Sequence, residues 1–467
     1  MKRTVLLLAV GLLFATAAQA APLLPDELLR ASARHVPMIL EQRAEVDAAL
    51  STVINRQGAF DTELFGDGAT YADGFYNGRS LETGFRRPLR RLGGQLYGSY
   101  AASRGDFPIY EDDRYKSTDG GLKLGILLPL LQDRQVDRRR VDLWDARQAV
   151  REKELQALLT LVEVQRDALH AYWDWVSAGH TRDVYRSLLN LAQQRDDGMR
   201  RQVEDGSLAA IVLTENAQNI TRRESLLLEA ERRYTTASLA LSFYLRDVQG
   251  NTLTPPEERA LPLDLFAELP QASATRVPAS AAARRPELHA LDVAITRAEQ
   301  RIRQSENQLL PSLDLKLQYG YGLGSAGEGG PSRDTEEATV ALSFSVPLER
   351  RSARGSLSRA RAERQALSHR RRHTEERIVL EIQRILLELD IARRQADLAQ
   401  REMTQAEQLR DAEVRRFEQG ASNFFLVNLR EKAAADARIL YLESLKAAHK
   451  SRADYDAVTV NETNLRL

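Results

Sequence analysis

The chain of 467 residues carries 66 basic and 66 acidic side chains, a formal net charge of zero. That balance offers little to a polyanion, so no nucleic acid is expected as a partner. The absence of cysteine excludes a disulfide framework and thiolate-ligated metal, and also the lipidated cysteine that tethers many exported bacterial proteins.

In chain order, Met1-Lys2-Arg3 precedes an apolar run from Val5 to about Ala18, and Ala18-Gln19-Ala20 is a small-x-small cleavage site. Residues 1–20 therefore read as a secretory signal peptide. Its removal takes Lys2 and Arg3 with it and leaves a net charge of −2. No later stretch has 18 consecutive apolar residues, so no transmembrane helix is expected. If the chain spans a membrane it does so by strands, because open backbone cannot sit in hydrocarbon.

Residues 23–56 are helical in pattern, with a break or kink at Pro37. From 59 to 130 Gly, Tyr, Phe and Thr rise and short alternating runs appear. The clearest is 119–129, where Leu122, Leu124, Ile126 and Leu128 share a face. A second candidate strand is 92–104, and 59–71 and 80–87 are candidates for two more. From Gln132 to about Arg201 the chain is charged and helix-forming. The pattern stops at Gly206 and restarts to about Arg246. Residues 251–286 hold Pro255, Pro256, Pro262, Pro270, Pro278 and Pro286, which implies little regular structure or short helices only. A helix is expected next, from Pro286 to Leu310.

Residues 312–323 then alternate strictly. Leu313, Leu315, Leu317, Tyr319, Tyr321 and Leu323 fall on one face; Ser312, Asp314, Lys316, Gln318, Gly320 and Gly322 fall on the other. After a Gly-rich loop, Val340, Leu342, Phe344 and Val346 alternate with Thr339, Ala341, Ser343 and Ser345. Side chains on a strand point to alternate faces. Such length of alternation, with aromatics toward one end, is the pattern of a transmembrane β-hairpin with its oily side to lipid. Leu313, Leu315, Leu317, Val340, Leu342 and Phe344 are the expected lipid-facing residues. A two-stranded arm on a soluble domain remains the alternative.

A very long helix is expected from about Ser352 to Phe417, with a break at Gly420 and a last helix to about Tyr455. Ile378, Ile382, Ile385, Leu389, Ala392, Ala396, Ala399, Met403 and Ala406 step by fours and threes, a heptad seam that implies coiled-coil packing. The register meets Arg410 and Glu413 and recovers at Phe417. With 28% charged and 6% aromatic residues, long solvated helices are expected more than a thick globular core.

The order helix, strands, helix, turn, helix occurs twice. Gly206 matches Gly420 at an offset of 214, where Leu226-Leu227-Leu228-Glu229 lies over Leu440-Tyr441-Leu442-Glu443. At an offset of 218, Leu128-Pro129-Leu130 lies over Val346-Pro347-Leu348. The expected organisation is a signal peptide at 1–20 and a first repeat at 21–250, with strands about 59–130 and a helical hairpin turning at 206. A Pro-rich connecting or equatorial segment lies at 251–285. A second repeat at 286–456 holds a β-hairpin at 312–347 and a helical hairpin turning at 420. A tail at 457–467 closes the chain.

Catalytic and metal chemistry find no footing. His369 and His373 stand at i and i+4, a ligand spacing, but Arg370, Arg371 and Arg372 between them repel a cation. A solvated basic face is the better reading, and no metal or cofactor is expected. Arg134, Arg138, Arg139, Arg140, Arg350, Arg351 and Arg354 come after the strand ends, as headgroup anchors or as ordinary helix-surface charge. Trp144, Trp173 and Trp175 read as inter-helix packing. No nucleophile–His–Asp arrangement, phosphate loop or paired carboxylates point to an enzyme.

Certain motifs carry a resemblance. They are Arg285-Pro286-Glu287-Leu288, Gln308-Leu309-Leu310-Pro311-Ser312-Leu313-Asp314-Leu315, and Val346-Pro347-Leu348 leading from strand into helix. The two turns, Val203-Glu204-Asp205-Gly206-Ser207 and Phe417-Glu418-Gln419-Gly420-Ala421, complete the set. In this order, doubled and after a signal peptide, they resemble the TolC family of bacterial outer membrane efflux proteins over nearly the whole mature chain. The resemblance implies a coiled-coil α-helical barrel joined to a transmembrane β-barrel, built as a homotrimer with two tandem repeats per protomer. It implies a location in outer-membrane lipid with an extension into the periplasm. Its partners would be a periplasmic adaptor and an inner-membrane transporter, and conduction would be passive, in efflux or type I secretion.

Under that resemblance, Asp205, Gly206, Ser207, Leu208, Gln419, Gly420, Ala421 and Ser422 are the expected adaptor-docking tips. Family members close the periplasmic entrance with carboxylates just beyond the second turn. Here Asn423, Phe424, Phe425 and Leu426 occupy that stretch and the first acid is Glu431, so a hydrophobic gate is expected, with packing between hairpins as the alternative. The family usually shows two strands per half, whereas the first half here has room for four. Residues 59–91 are thus either further membrane strands or a hairpin outside the barrel wall. A different class of protein, a periplasmic coiled-coil scaffold with a small soluble β-domain, remains the alternative function.

Overall fold

The computed structural model describes residues 21–114, 116–269, 282–325 and 336–467. The expected signal peptide, residues 270–281 of the Pro-rich segment and residues 326–335 of the second hairpin loop lie outside them. The chain divides into two units: Met1–Leu40 with Leu161–Ala281 and Val379–Leu467, and Glu41–Thr160 with Ala282–Ile378.

Helices α1 (Pro25–His35) and α2 (Pro37–Gln57) open the described chain. Pro37 starts α2, where its missing N–H costs nothing. Strands β1 (Glu63–Thr70), β2 (Arg79–Pro88), β3 (Gln95–Arg104) and β4 (Gly121–Pro129) come next. Then come α3 (Arg138–Glu204), α4 (Ile211–Ser242), the short α5 (Leu263–Phe266) and α6 (Pro286–Asn307). Strands β5 (Ser312–Gly322) and β6 (Glu336–Ser345) lead into α7 (Arg351–Glu418) and α8 (Phe424–Val458). At 67 and 68 residues, α3 and α7 each rise about 100 Å.

The six strands make one antiparallel sheet in sequence order, β1-β2-β3-β4-β5-β6. The two strands expected at 59–71 and 80–87 are β1 and β2, and β2 pairs with β3 along its whole length, from Arg79↔Arg104 to Pro88↔Gln95. The register places like residues opposite like. Leu81 meets Ala102, Tyr100 meets Leu122, Leu124 meets Tyr319, Leu317 meets Val340 and Leu315 meets Leu342. The other face lines up Asp67 with Glu82, Ser99 with Lys123 and Lys316 with Ala341. A one-residue slip anywhere would mix the two faces, so the alternation itself specifies register.

Where strands meet helices, two residues other than glycine take left-handed backbone: Asp133 (φ 63°) and Arg350 (φ 49°). Both are pinned to the end of α6. Asp133 exchanges hydrogen bonds with the Asn307 side chain at 3.0 and 2.8 Å, and the Arg350 guanidinium donates to the Leu309 carbonyl at 3.0 Å. Such backbone strain persists only where surroundings hold it. Arg140 pairs with Asp137 and donates to the carbonyls of Arg91, Asp133 and Arg134. At these two positions the basic residues after the strands are structural locks. Arg297 of α6 bridges Asp145 and Glu152 of α3, and its hydrogen bond holds the Asp145 carboxyl below the usual range.

The other unit has the thicker core. Trp175, Tyr172, Phe266, Leu28, Leu241, Leu442 and Leu445 are wholly buried, each contributing about 1.5–3 kcal/mol. The expected tail is part of it: Leu465 is buried, and Arg466 exchanges backbone hydrogen bonds with the Gln165 side chain at 2.8 and 2.9 Å. Short α5 inserts Phe266 between rings. His180 stacks on it at 5.7 Å, His449 at 5.5 Å and Trp173 at 5.9 Å. Each imidazole's Nε2 lies within hydrogen-bond reach of a backbone carbonyl, His180 of Leu261 and His449 of Phe266. Burial pushes both imidazole pKa values below 6.5.

Unfolded, both imidazoles take up a proton near pH 6.5; folded, they stay neutral to lower pH, so their contribution is intact above that value and is lost as the pH falls below it. The melting temperature should fall between pH 7 and 5, and His449→Gln, which keeps a donor without the titration, should flatten the profile relative to the parent. Parallel profiles by circular dichroism would refute this.

Candidate functional site

The two helical turns are built alike. Gly206 and Gly420 both have φ 73°, a conformation open to glycine without a Cβ clash. After α3, the Ser207 amide donates to Gln202 O at 2.9 Å and the Gly206 amide to Val203 O at 3.1 Å. After α7, Ala421 donates to Arg416 O at 2.8 Å and Gly420 to Phe417 O at 3.0 Å. Both are Schellman closures, which satisfy the last carbonyls of a helix. The turns differ in how the next helix starts. Asn423 caps α8, its Oδ1 accepting from the Leu426 amide at 2.9 Å, whereas α4 begins without a side-chain cap. Ser422 also donates to Glu413, which is buried on α7. The charge that interrupts the heptad seam therefore braces the second turn.

The tip residues Asp205, Gly206, Ser207, Gln419, Gly420 and Ala421 are exposed, while Leu208 and Ser422 are half-buried. The four candidate gate residues separate. Asn423 is used as the cap. Phe424 is only 6% exposed, with the Arg195 guanidinium 5.7 Å from its ring centroid. Leu426 is half-buried, and Phe425 is 70% exposed. Phe425 and Leu429 line a cleft of about 380 Å³ between α4 and α8, shared with Glu215 and Arg222.

Beyond this cleft lies a buried charge cluster. Glu431 of α8 is 2% exposed and receives Arg195 of α3 and Arg223 of α4. Arg223 donates to Glu431 at 2.9 Å, to Asn428 at 3.2 Å and to the Leu188 carbonyl at 2.6 Å. Arg195 reaches the same Asn428. One carboxylate thus ties the first helical hairpin to the second. Sequence reasoning noted Glu431 only as the first acid after the turn and missed both arginines. The signal was present: Asn216, Arg223, Ala230 and Ala237 step by seven on α4, and Phe424, Val427, Glu431 and Ala434 step by threes and fours on α8. Charges at core heptad positions need buried partners.

His369 and His373 are both exposed on α7, and their neighbour Arg371 pairs with Asp292 at 2.6 Å. Among the described residues no group of three or more His, Cys, Asp or Glu is placed to hold a metal, and no helix is long and apolar enough to cross a membrane.

Residues 277–454 match the family model of outer membrane efflux proteins. The resemblance read from the motifs holds for this part of the chain. Solved channels share the fold across both halves. The Campylobacter jejuni CmeC outer membrane channel is 12% identical, with 93% of this chain and 85% of that one covered at a TM-score of 0.64. VceC of Vibrio cholerae is 13% identical, covering 93% and 95% at 0.62. The Neisseria gonorrhoeae MtrE channel, solved in an open state, is 14% identical, covering 93% and 88% at 0.66. No curated protein sequence matches the chain. The fold is that of outer-membrane efflux channels.

Replacing Glu431 by Ala leaves Arg223 buried without its carboxylate and is expected to cost about 3–5 kcal/mol. A melting temperature unchanged by Glu431→Ala would show that the cluster does not join the hairpins.

Proposed function

We propose that the protein is the outer-membrane exit duct of a tripartite efflux or type I secretion system. It works as a homotrimer of tandem-repeat protomers, with its sheet in outer-membrane lipid and its helices in the periplasm. It conducts solutes passively, receiving them from an inner-membrane transporter through a periplasmic adaptor that docks on the turns at 206 and 420. The observation that carries this reading is the two-faced sheet. Leu317, Val340, Leu342 and Phe344 stand exposed on one side among the described residues, as lipid-facing residues must.

The trimer is supported by a second apolar stripe on α7. Leu380, Leu387, Ile391, Leu398 and Leu409 are exposed and recur at sevens, a four and an eleven. They run two residues out of step with the buried seam that starts at Ile378, which on a helix is close to the opposite side. Exposed stripes of this kind mark association surfaces. Of the gate candidates, Phe425 is the one whose ring is most free to meet copies of itself; Phe424 is packed inside its own protomer.

Two measurements test the reading. The protein should fractionate with outer membrane and require detergent, and Leu342→Arg should cost about 2–4 kcal/mol near the midplane, seen as lost assembled oligomer, while Ser343→Arg is tolerated. Release by osmotic shock, with equal effects of the two substitutions, would favour the soluble scaffold instead. For the gate, Phe425→Ser should raise the conductance of the purified channel in a planar bilayer, and millimolar multivalent cations should block the parent poorly. Strong block with unchanged conductance would place a charged ring elsewhere.

A further inference from the structure

We infer that β1 and β2 belong to the membrane wall, so that each protomer contributes six strands rather than the four of two hairpins. The next copy closes the wall by pairing its β6 with the free edge of β1. The inference rests on the duct reading above and concerns how wide that duct is.

The first support is register. Counting through the pairs, the face that carries Leu342, Leu317, Leu124 and Tyr100 continues into Leu81, Thr83 and Phe85 of β2 and Leu64 of β1. Leu64 and Leu81 are exposed, as are Leu124 of β4 and Leu342 of β6. On β2 the charged residues of this face, Arg79 and Arg87, stand near its two ends, where membrane strands meet water, and Glu82 and Asp67 fall on the polar face. Phe65 falls on the other face, over Gly84; a hairpin in water gives no reason for its leucines and Phe85 to share the lipid side of its neighbours.

The second support is stitching. Bare glycines on one strand are covered by aromatic rings from the next. A Cβ on Gly84 would lie 2.9 Å from the Phe65 ring, one on Gly98 would lie 2.8 Å from Phe85, and one on Gly125 would lie 2.3 Å from Tyr97. The same device runs from β1 to β4 without a break, as in sheets built to curve. At the loop end, Tyr71 and Phe107 pack edge to face at 6.2 Å, joining the β1–β2 loop to the β3–β4 loop.

The third support is the pattern of connections. The β2–β3 turn, residues 89–94, lies at the helix end of the sheet and is closed by the Leu89 amide on Gly94 O at 2.8 Å. Arg140 of α3 holds it through the Arg91 carbonyl. The connections at the other end, β1–β2 at 71–78 and β3–β4 at 105–120, are longer. Short turns on the periplasmic side and longer loops outside are what bacterial barrels show.

An open sheet cannot remain in hydrocarbon, since the outer edges of β1 and β6 carry unpaired backbone groups. Three copies of a six-stranded sheet close with about eighteen strands, a size at which barrels leave an aqueous channel.

The test uses the reconstituted full-length protein in phosphatidylcholine vesicles with brominated acyl chains. Leu81→Trp, Leu124→Trp and Glu82→Trp are compared over the background of Trp144, Trp173 and Trp175. Quenching of both Leu81→Trp and Leu124→Trp, with Glu82→Trp like the parent, is expected. Quenching of Leu124→Trp alone would overturn the inference and leave the duct standing; quenching of neither would overturn both. A second measurement stands if a Trp variant fails to assemble. The chain has no native cysteine, so Asp67→Cys paired with Thr339→Cys or Ala341→Cys should give disulfide-linked oligomers. Cross-linking from Ala101→Cys on β3 to the same β6 positions, with none from β1, would place the seam at β3 and exclude β1 and β2 from the wall.

Discussion

On the duct reading, the sheet answers to one constraint: backbone polar groups and side-chain faces must be sorted before it can enter lipid. Hydrocarbon offers no hydrogen bonds, so each strand needs a partner on both sides. It tolerates few charges, so each strand needs a clean apolar face. The inner four strands meet the first demand, and the ladder in register serves the second by keeping apolar residues opposite apolar residues in the middle of each pair. The outer edges of β1 and β6 are left unpaired within the protomer.

The helices solve a different problem with the same economy. The two long helices run 67 and 68 residues. The buried seam from Ile378 to Ala399 packs one side of α7, and the stripe from Leu380 to Leu409 stays exposed on the other. Between hairpins, specificity is added by charge. Glu431 with Arg195 and Arg223 contributes little net stability over an apolar seam, because desolvation offsets the attraction, yet breaking it costs heavily. Such a cluster fixes which helices pair and at what height. It sits close to Phe424 and Phe425, so any movement of the second hairpin at its turn must work against it.

Two junction residues show how strain is placed. Asp133 and Arg350 both adopt left-handed backbone where a strand hands over to a long helix, and both are held by the end of α6. The cost of roughly 1–3 kcal/mol at each is offset by hydrogen bonds to Asn307 and Leu309.

Much of this was legible in the sequence because it is written in local periodicities. Alternation of two marked β4, β5 and β6; steps of three and four marked the seam of α7; the glycines marked both turns, and their Schellman closures follow from the left-handed residue itself. The ends of α7 fell within a residue of those expected, whereas α3 starts six residues after Gln132; Pro and Gly end helices for local steric reasons, and no such residue marks the start of α3. What the sequence left open was whatever depends on partners distant along the chain. Whether 59–71 and 80–87 were joined to the sheet turned on the pairing of β2 with β3, which alternation alone does not specify. That Phe424 is packed and Phe425 free follows from the position of Arg195, more than two hundred residues earlier. The Glu431 cluster draws on three helices, and no single-helix pattern reveals which arginine a buried carboxylate will find. Periodicity is a property of one segment, while pairing is a property of two, and only the tertiary structure brings the second segment into place.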